Sequence, residues 1–380
     1  MIYLDNGATS FPKPKAMMEC MYKCMAEYCG NPGRSGHYMS MKTGEEVYKA
    51  RKNLAKLFNI SNPGRIIFTI NTTGALNQGI QGLLKQGDHV ITTSMEHNSV
   101  LRPLKMLESK GVEHTIVKCD RTGCINLRDI KAAIKDNTCM IICTHASNVT
   151  GTIMPISEIG ELAHRNNLLF MVDGAQSAGC IPINVVEMNI DLLALPGHKG
   201  LLGPMGTGLL YVRDGLELEP LLLGGTGTSS KDRKQPKEMP EGYESGTVNA
   251  PGIIGLGCSV EMLLGNGIKS IHEHEEALTT MLDEGLRNMR NVTVYGVEDC
   301  TKKAGIVTFN IKGKSCEQVA DELSELYGIA GRAGFHCAGL AHKTIGTWET
   351  GALRLSVGPF NTKAQIKTAI EAVYRITRTL

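Results

Sequence analysis

Between Leu168 and Val212 three short apolar runs follow one another: Leu168–Val172, Asp191–Leu195 and Gly208–Val212. Each is short, continuous and bounded by glycine or proline, the pattern of a strand covered on both faces. Upstream the texture alternates. HTIVKC and CMIICTHAS read as strands, while INLRDIKAAIKDN and ISEIGELAHRNN read as helices. Strands alternating with helices at this spacing demand a parallel, doubly wound sheet. Such a sheet holds its ligands in the crevice beyond the carboxyl ends of its strands. Asp173 stands at the end of the first run and Lys199 just past the end of the second.

An acid and an amine in apolar surroundings suit an aromatic cofactor held by its aldehyde on a lysine, its ring nitrogen protonated beside a carboxylate. That describes pyridoxal 5′-phosphate. Two further stretches lead to the same crevice. IIFTI runs into NTTGALNQGIQGLL, a strand followed by a helix that opens Thr–Thr–Gly, where N–H groups and hydroxyls at the positive helix end make a phosphate site. HVITTSMEHNSV is a strand ending at Glu96–His97–Asn98.

Length and charge narrow the field. With 380 residues two domains are expected. A net charge of +2 offers no electrostatic case for nucleic acid or an anionic membrane. No apolar run approaches a membrane span. The start of the chain lacks a basic segment leading into an apolar one, so a cytoplasmic protein with reduced, mostly inert thiols is expected. Its 12 cysteines contain no C-x-x-C pair, and Cys20 and Cys24, on one helical face, read as packing. His272 and His274 point to different faces of a charged helix, so no metal site is expected. No G-x-G-x-x-G opens the first strand–helix unit, which disfavours a dinucleotide enzyme.

VDGAQSAG and GHKGLLGPMGTG resemble the cofactor and lysine motifs of class V aminotransferase-like enzymes of PLP fold type I, the cysteine desulfurases and selenocysteine lyases in particular. YLDNGATS near the N-terminus and RAGFHCA near the C-terminus extend the resemblance over nearly the whole chain. The resemblance implies an α/β fold with a large domain, residues 15–252, built on a doubly wound, mainly parallel sheet. A smaller α+β domain, residues 1–14 and 253–380, would carry the reactive cysteine.

The same resemblance implies roles. Lys199 would hold the cofactor and Asp173 its ring nitrogen. His97 would stack on the ring and relay protons. Thr73 and Gly74 would bind the phosphate, and His198 would lie beside the lysine. Asn148 would touch the ring oxygen and the substrate carboxylate, and Gln176 the same oxygen. Thr247, in YESGTVN, would contact the phosphate of a neighbouring subunit, giving a homodimer with shared active sites. Arg332 and Arg354 would face the substrate, Arg354 as the clamp for its α-carboxylate. Cys337 would take sulfur from L-cysteine as a persulfide, leave L-alanine, and pass the sulfur to an acceptor protein. Alternatives are selenocysteine lyase action on L-selenocysteine, another PLP lyase or aminotransferase reaction, and a catalytically retired scaffold.

Four places depart from the family pattern: Ala75 where an acid is common, Pro196 where a serine is common, the GLAHKTIGTWETG segment, and the lack of an extra N-terminal helix. Proline at 196 removes a hydroxyl and an N–H from the phosphate's surroundings. In NPGRSGHYMS, Arg34 and His37 are loop residues that could touch substrate. The stretch from Gly224 to Gly252 lacks apolar periodicity and reads as an exposed, mobile loop.

Overall fold

The computed structural model describes residues 1–33, 35–228 and 231–378. The first part of the chain forms β1 (Ile2–Tyr3), α1 (Lys15–Lys23), α2 (Tyr38–Phe58), β2 (Ile66–Thr69), α3 (Thr72–Leu83), β3 (His89–Thr93), α4 (Asn98–Leu107), β4 (Glu113–Val117), α5 (Leu127–Ala132), β5 (Thr138–Thr144) and α6 (Ile156–Arg165). The three runs that opened the sequence reading become β6 (Leu169–Asp173), β7 (Leu192–Pro196) and β8 (Gly208–Val212). These strands make one seven-stranded sheet in the order β2-β8-β7-β6-β5-β3-β4. Only β8 runs against its neighbours, β2 and β7. The carboxyl ends of β2, β3, β5, β6 and β7 therefore meet along one edge, as a doubly wound sheet requires.

Side chains alternate across this sheet. Ile141, Phe170, Val172, Leu193 and Leu195 enter one apolar core, and Met140, Ile142, Met171, Leu192 and Ala194 enter another on the opposite face. Both faces are covered, which is why these strands read as unbroken apolar runs.

The rest of the chain forms α7 (Ala250–Asn266), α8 (Ile268–Arg287), β9 (Val292–Tyr295), β10 (Ile306–Ile311), α9 (Cys316–Tyr327), β11 (Ile329–Ala330), β12 (Arg332–Gly334), α10 (Gly339–Ile345), β13 (Ala352–Ser356) and α11 (Lys363–Thr377). A four-stranded antiparallel sheet, β12-β13-β10-β9, shares a third core with α8, α9 and α11. Leu4 is buried in that core, and β1 pairs with β11.

The boundary expected at residue 252 falls inside α7. Ile253, Ile254, Leu256, Val260 and Leu263 pack into the first core, so α7 packs with the larger sheet. Contact with α2 explains this: a Cβ added to Gly257 would lie 2.5 Å from the Cβ of Ala50, so only glycine lets the two helices touch there. Cys20 of α1 and Cys258 of α7 form a disulfide, which corrects the expectation that Cys20 merely packs in reduced form. The stretch from Gly224 to Gly252 is not mobile throughout. Tyr243 is buried, and both oxygens of Glu244 accept hydrogen bonds from the Arg51 guanidinium at 2.9 Å. Among the described residues no single helix is long and apolar enough to cross a membrane.

Candidate active site

Along the edge where the strands end, Asn71, Thr72, Thr73, His97, Thr144, Asn148, Asp173, Gln176, His198 and Lys199 line a cleft of about 530 Å³. They come from the ends of five strands, β2, β3, β5, β6 and β7, so residues remote in sequence converge by topology.

Asp173 ends β6 and is buried. Its Oδ1 accepts from the N–H of Ala175 at 2.9 Å. Burial raises its carboxyl pKa, while that hydrogen bond and the Lys199 charge pull it back down. Lys199 follows β7. Burial, helped by the positive charge of Arg354, lowers its amine to about 8, against the opposing pull of Asp173. An amine held there is largely neutral at mildly alkaline pH, as a nucleophile or base requires.

His97 caps α4, its Nδ1 accepting from the N–H of Ser99 at 3.0 Å. Burial and the charges of Lys199, Arg332 and Arg102 lower its pKa to about 4, so the ring is neutral and carries its proton on Nε2. The Ser99 hydroxyl stands 2.9 Å from His97 Nδ1 and 2.8 Å from the Thr73 hydroxyl, tying the start of α3 to the imidazole. Gly74 lies differently from its expected role. Its N–H donates to the side chain of Asn71, the cap of α3, at 2.9 Å, whereas Thr72 and Thr73 face the cleft. His198 lines the cleft with its Nδ1 buried and unpartnered. Gln176 donates to the carbonyl of Gly7 at 3.0 Å.

Arg354 lies only 1% exposed on β13. It donates to Asp5 at 2.9 Å and to the carbonyl of Asn148 at 2.9 Å. Residue chemistry did not single out Asp5 as a partner of Arg354, from which 349 residues separate it. Gly7 lies flat on the same guanidinium, where an added Cβ would stand 3.2 Å from Cζ.

Cys337 is exposed, in a tight turn between β12 and α10. It opens on a recess shared with Thr73, His97, Ser99 and Arg102, three of which also border the Lys199 cleft. The Arg332 guanidinium stands 4.0 Å from its Sγ. Asn148 donates to the carbonyl of His336 at 2.6 Å, connecting the turn to the cleft. Thr247 is exposed and lines no part of its own cleft. His37 caps α2 through Ser40, and Arg34 lies outside the described residues.

Buried titratable groups set a pH signature for the protein. Burial lowers His145 and His342 to about 4 and His336 to about 3. As pH falls from the unfolded value of 6.5, the unfolded chain takes up protons that the folded chain refuses, so stability drops. His97 and His198, both lowered to about 4, act in the same direction. Glu96 and Glu275 act oppositely, because burial raises both to about 8. Above 4.5 the unfolded chain releases protons that the folded chain keeps, so stability falls toward pH 8. The thermal midpoint should peak near pH 6.5, where the histidine loss begins on the acid side. A midpoint that climbs steadily from there to pH 8 would contradict protonated glutamates in the core.

A family model for aminotransferase class-V matches residues 2–368. A probable cysteine desulfurase from Methanothermobacter thermautotrophicus is 36% identical over 382 residues, covering 99% of this chain and 94% of that protein. The cysteine desulfurase IscS of Clostridium botulinum is 33% identical, covering 99% of this chain and 94% of its own length. The apo structure of a cysteine desulfurase from Thermococcus onnurineus NA1 matches with a TM-score of 0.94 at 33% identity, over 100% of this chain and 95% of that one. Sheet order, cleft and full-length similarity agree, and the chain belongs to the aminotransferase class-V family.

Proposed function

We propose that this protein is a pyridoxal 5′-phosphate-dependent cysteine desulfurase that converts L-cysteine to L-alanine and keeps the sulfur as a persulfide on Cys337. The observation that carries the reading is the exposed Cys337 thiol, opening on a recess that shares Thr73, His97 and Ser99 with the Lys199 cleft. A transaminase has no use for a thiol there.

The cleft residues fit the cofactor. The unpartnered His198 Nδ1 is a buried polar atom awaiting a ligand. Lys199 would hold the aldehyde, Asp173 the ring nitrogen, and Thr73 with the start of α3 the phosphate. His97, Asn148, Gln176 and His198 would surround the ring, and the Gly74 N–H, committed to Asn71, would serve the helix cap. When bound, the cofactor supplies an electron sink for charge left on the substrate carbon.

The chain's own groups do the rest. Lys199 Nζ takes the proton from the substrate α-carbon and can return it. Arg354 and Arg332 are the cations for the α-carboxylate, Arg332 being the more accessible. Cys337 Sγ attacks the substrate sulfur. The new S–S bond forms as the carbon–sulfur bond breaks, and its electron pair stays with the carbon, which is then protonated to give alanine. The Arg332 guanidinium faces the attacking sulfur. Product analysis tests this reading: alanine with sulfide from L-cysteine is expected, and pyruvate or another keto acid would refute it. Turnover of L-selenocysteine in the same assay sets the sulfur preference.

A homodimer with shared sites follows from the same reading. Tyr38, Met41 and Tyr48 lie exposed along one face of α2. Tyr48 lines a second cleft with Gly246 and Val248, the neighbours of Thr247. Such a face fits a second copy, with Thr247 reaching the partner's phosphate. Sedimentation equilibrium at the monomer mass of 41.1 kDa would remove it.

A further inference from the structure

Behind the reactive thiol lies a buried pair of imidazoles that the reaction does not use. His336 immediately precedes Cys337, and His342 lies on α10. Their rings are nearly parallel, 13° apart, with centroids separated by 5.3 Å. The hydrogen-bond chain through them has only one consistent set of protons. His336 Nε2 stands 3.0 Å from the carbonyl of Arg332, which can only accept, so Nε2 carries the hydrogen. Both rings are neutral, since burial lowers His336 to about 3 and His342 to about 4. His336 Nδ1 therefore accepts, and His342 Nε2–H donates to it at 3.1 Å. His342 Nδ1 then accepts from the Thr347 hydroxyl at 2.7 Å.

This chain ends on a strained turn. His336 and Cys337 have φ of 52° and 58°, the left-handed region that residues with a Cβ avoid unless held. The carbonyl of His336 accepts from Asn148, and the carbonyl of Cys337 accepts from the Asn98 N–H at 2.9 Å. Phe335 covers the edge of His342 at 5.3 Å and is itself braced by Trp348.

We propose that His342 is a positioning residue for sulfur transfer: through His336 it holds the turn that presents the Cys337 thiol to the recess. The inference rests on Cys337 being the attacking group. A thiol displaced by about 1 Å loses ten- to a hundredfold in rate, because attack depends on approach geometry.

The test uses the cofactor-loaded protein with His342→Leu, His342→Gln and Thr347→Val, and Cys337→Ser in parallel. Alanine release from L-cysteine is measured, together with the rate of iodoacetamide labelling of the Cys337 peptide by mass spectrometry. His342→Leu should lower kcat by about ten- to a hundredfold with KM unchanged, and should shift the labelling rate. His342→Gln keeps a donor for His336 and an acceptor for Thr347, and should recover to within a few-fold of the parent. Thr347→Val should fall between them. Parent-like kcat and labelling in His342→Leu, or a glutamine variant no better than leucine, overturns the proposal. If the leucine variant does not fold, parent-like behaviour of Thr347→Val overturns it instead. An inactive Cys337→Ser beside a normal His342→Leu sinks the histidine role alone, whereas an active Cys337→Ser sinks the reading beneath it.

Discussion

Replacing Cys337 by serine should cut alanine formation from L-cysteine by about a thousandfold or more, as expected when the nucleophile of a covalent step is removed. That loss corresponds to roughly 4 kcal/mol of transition-state stabilisation. Cofactor capture should survive, because Cys337 lines the outer recess and not the wall that holds Lys199 and Asp173. Serine keeps the turn's shape but lacks a sulfur able to form the S–S bond. The decisive measurement pairs alanine release with reductive labelling of Lys199 by cofactor and borohydride. Normal desulfuration by the serine variant would take Cys337 out of the chemistry.

Lys199→Ala should be at least as severe, with turnover lost by about a thousandfold or more, since one amine serves as both anchor and base. Here the labelling fails too. In the parent protein, borohydride and peptide mapping should place the label on Lys199. Labelling should fall about tenfold per pH unit below about 8, the amine's own pKa, because only the neutral form adds to an aldehyde. Above that pH the rate should level off. The sign follows from the cause: burial and the Arg354 charge disfavour the ammonium form, so the neutral amine appears well below the usual lysine range. A label on a different lysine would overturn the account of the cleft.

Both outcomes rest on residues that stood out in the bare chain. Asp173 and Lys199 mark strand ends, and a strand covered on both faces must be an uninterrupted apolar run, so 168–212 announced the sheet and the crevice together. Thr73 in the first turn of a helix carried local chemistry in the same way, whereas Cys337 stood out through the RAGFHCA resemblance. Other features had no local signal. The disulfide between Cys20 and Cys258 spans 238 residues, and neither residue carries a spacing motif. Glu244 sits in a stretch without periodicity, and only the approach of Arg51 across 193 residues makes it an anchor.

The chain by itself determined the fold class and the strand ends that bear Asp173 and Lys199, because periodicity is a local property, and the RAGFHCA resemblance singled out Cys337 as the proposed nucleophile. Only the tertiary structure decided which groups share a charge or a proton. It set Asp5 against Arg354, committed the Gly74 N–H to Asn71, moved α7 into the larger core, and hydrogen-bonded His342 to His336 behind Cys337. The physical reason is that burial and hydrogen-bond geometry depend on contacts made across the fold, and a linear pattern of residues does not record distance.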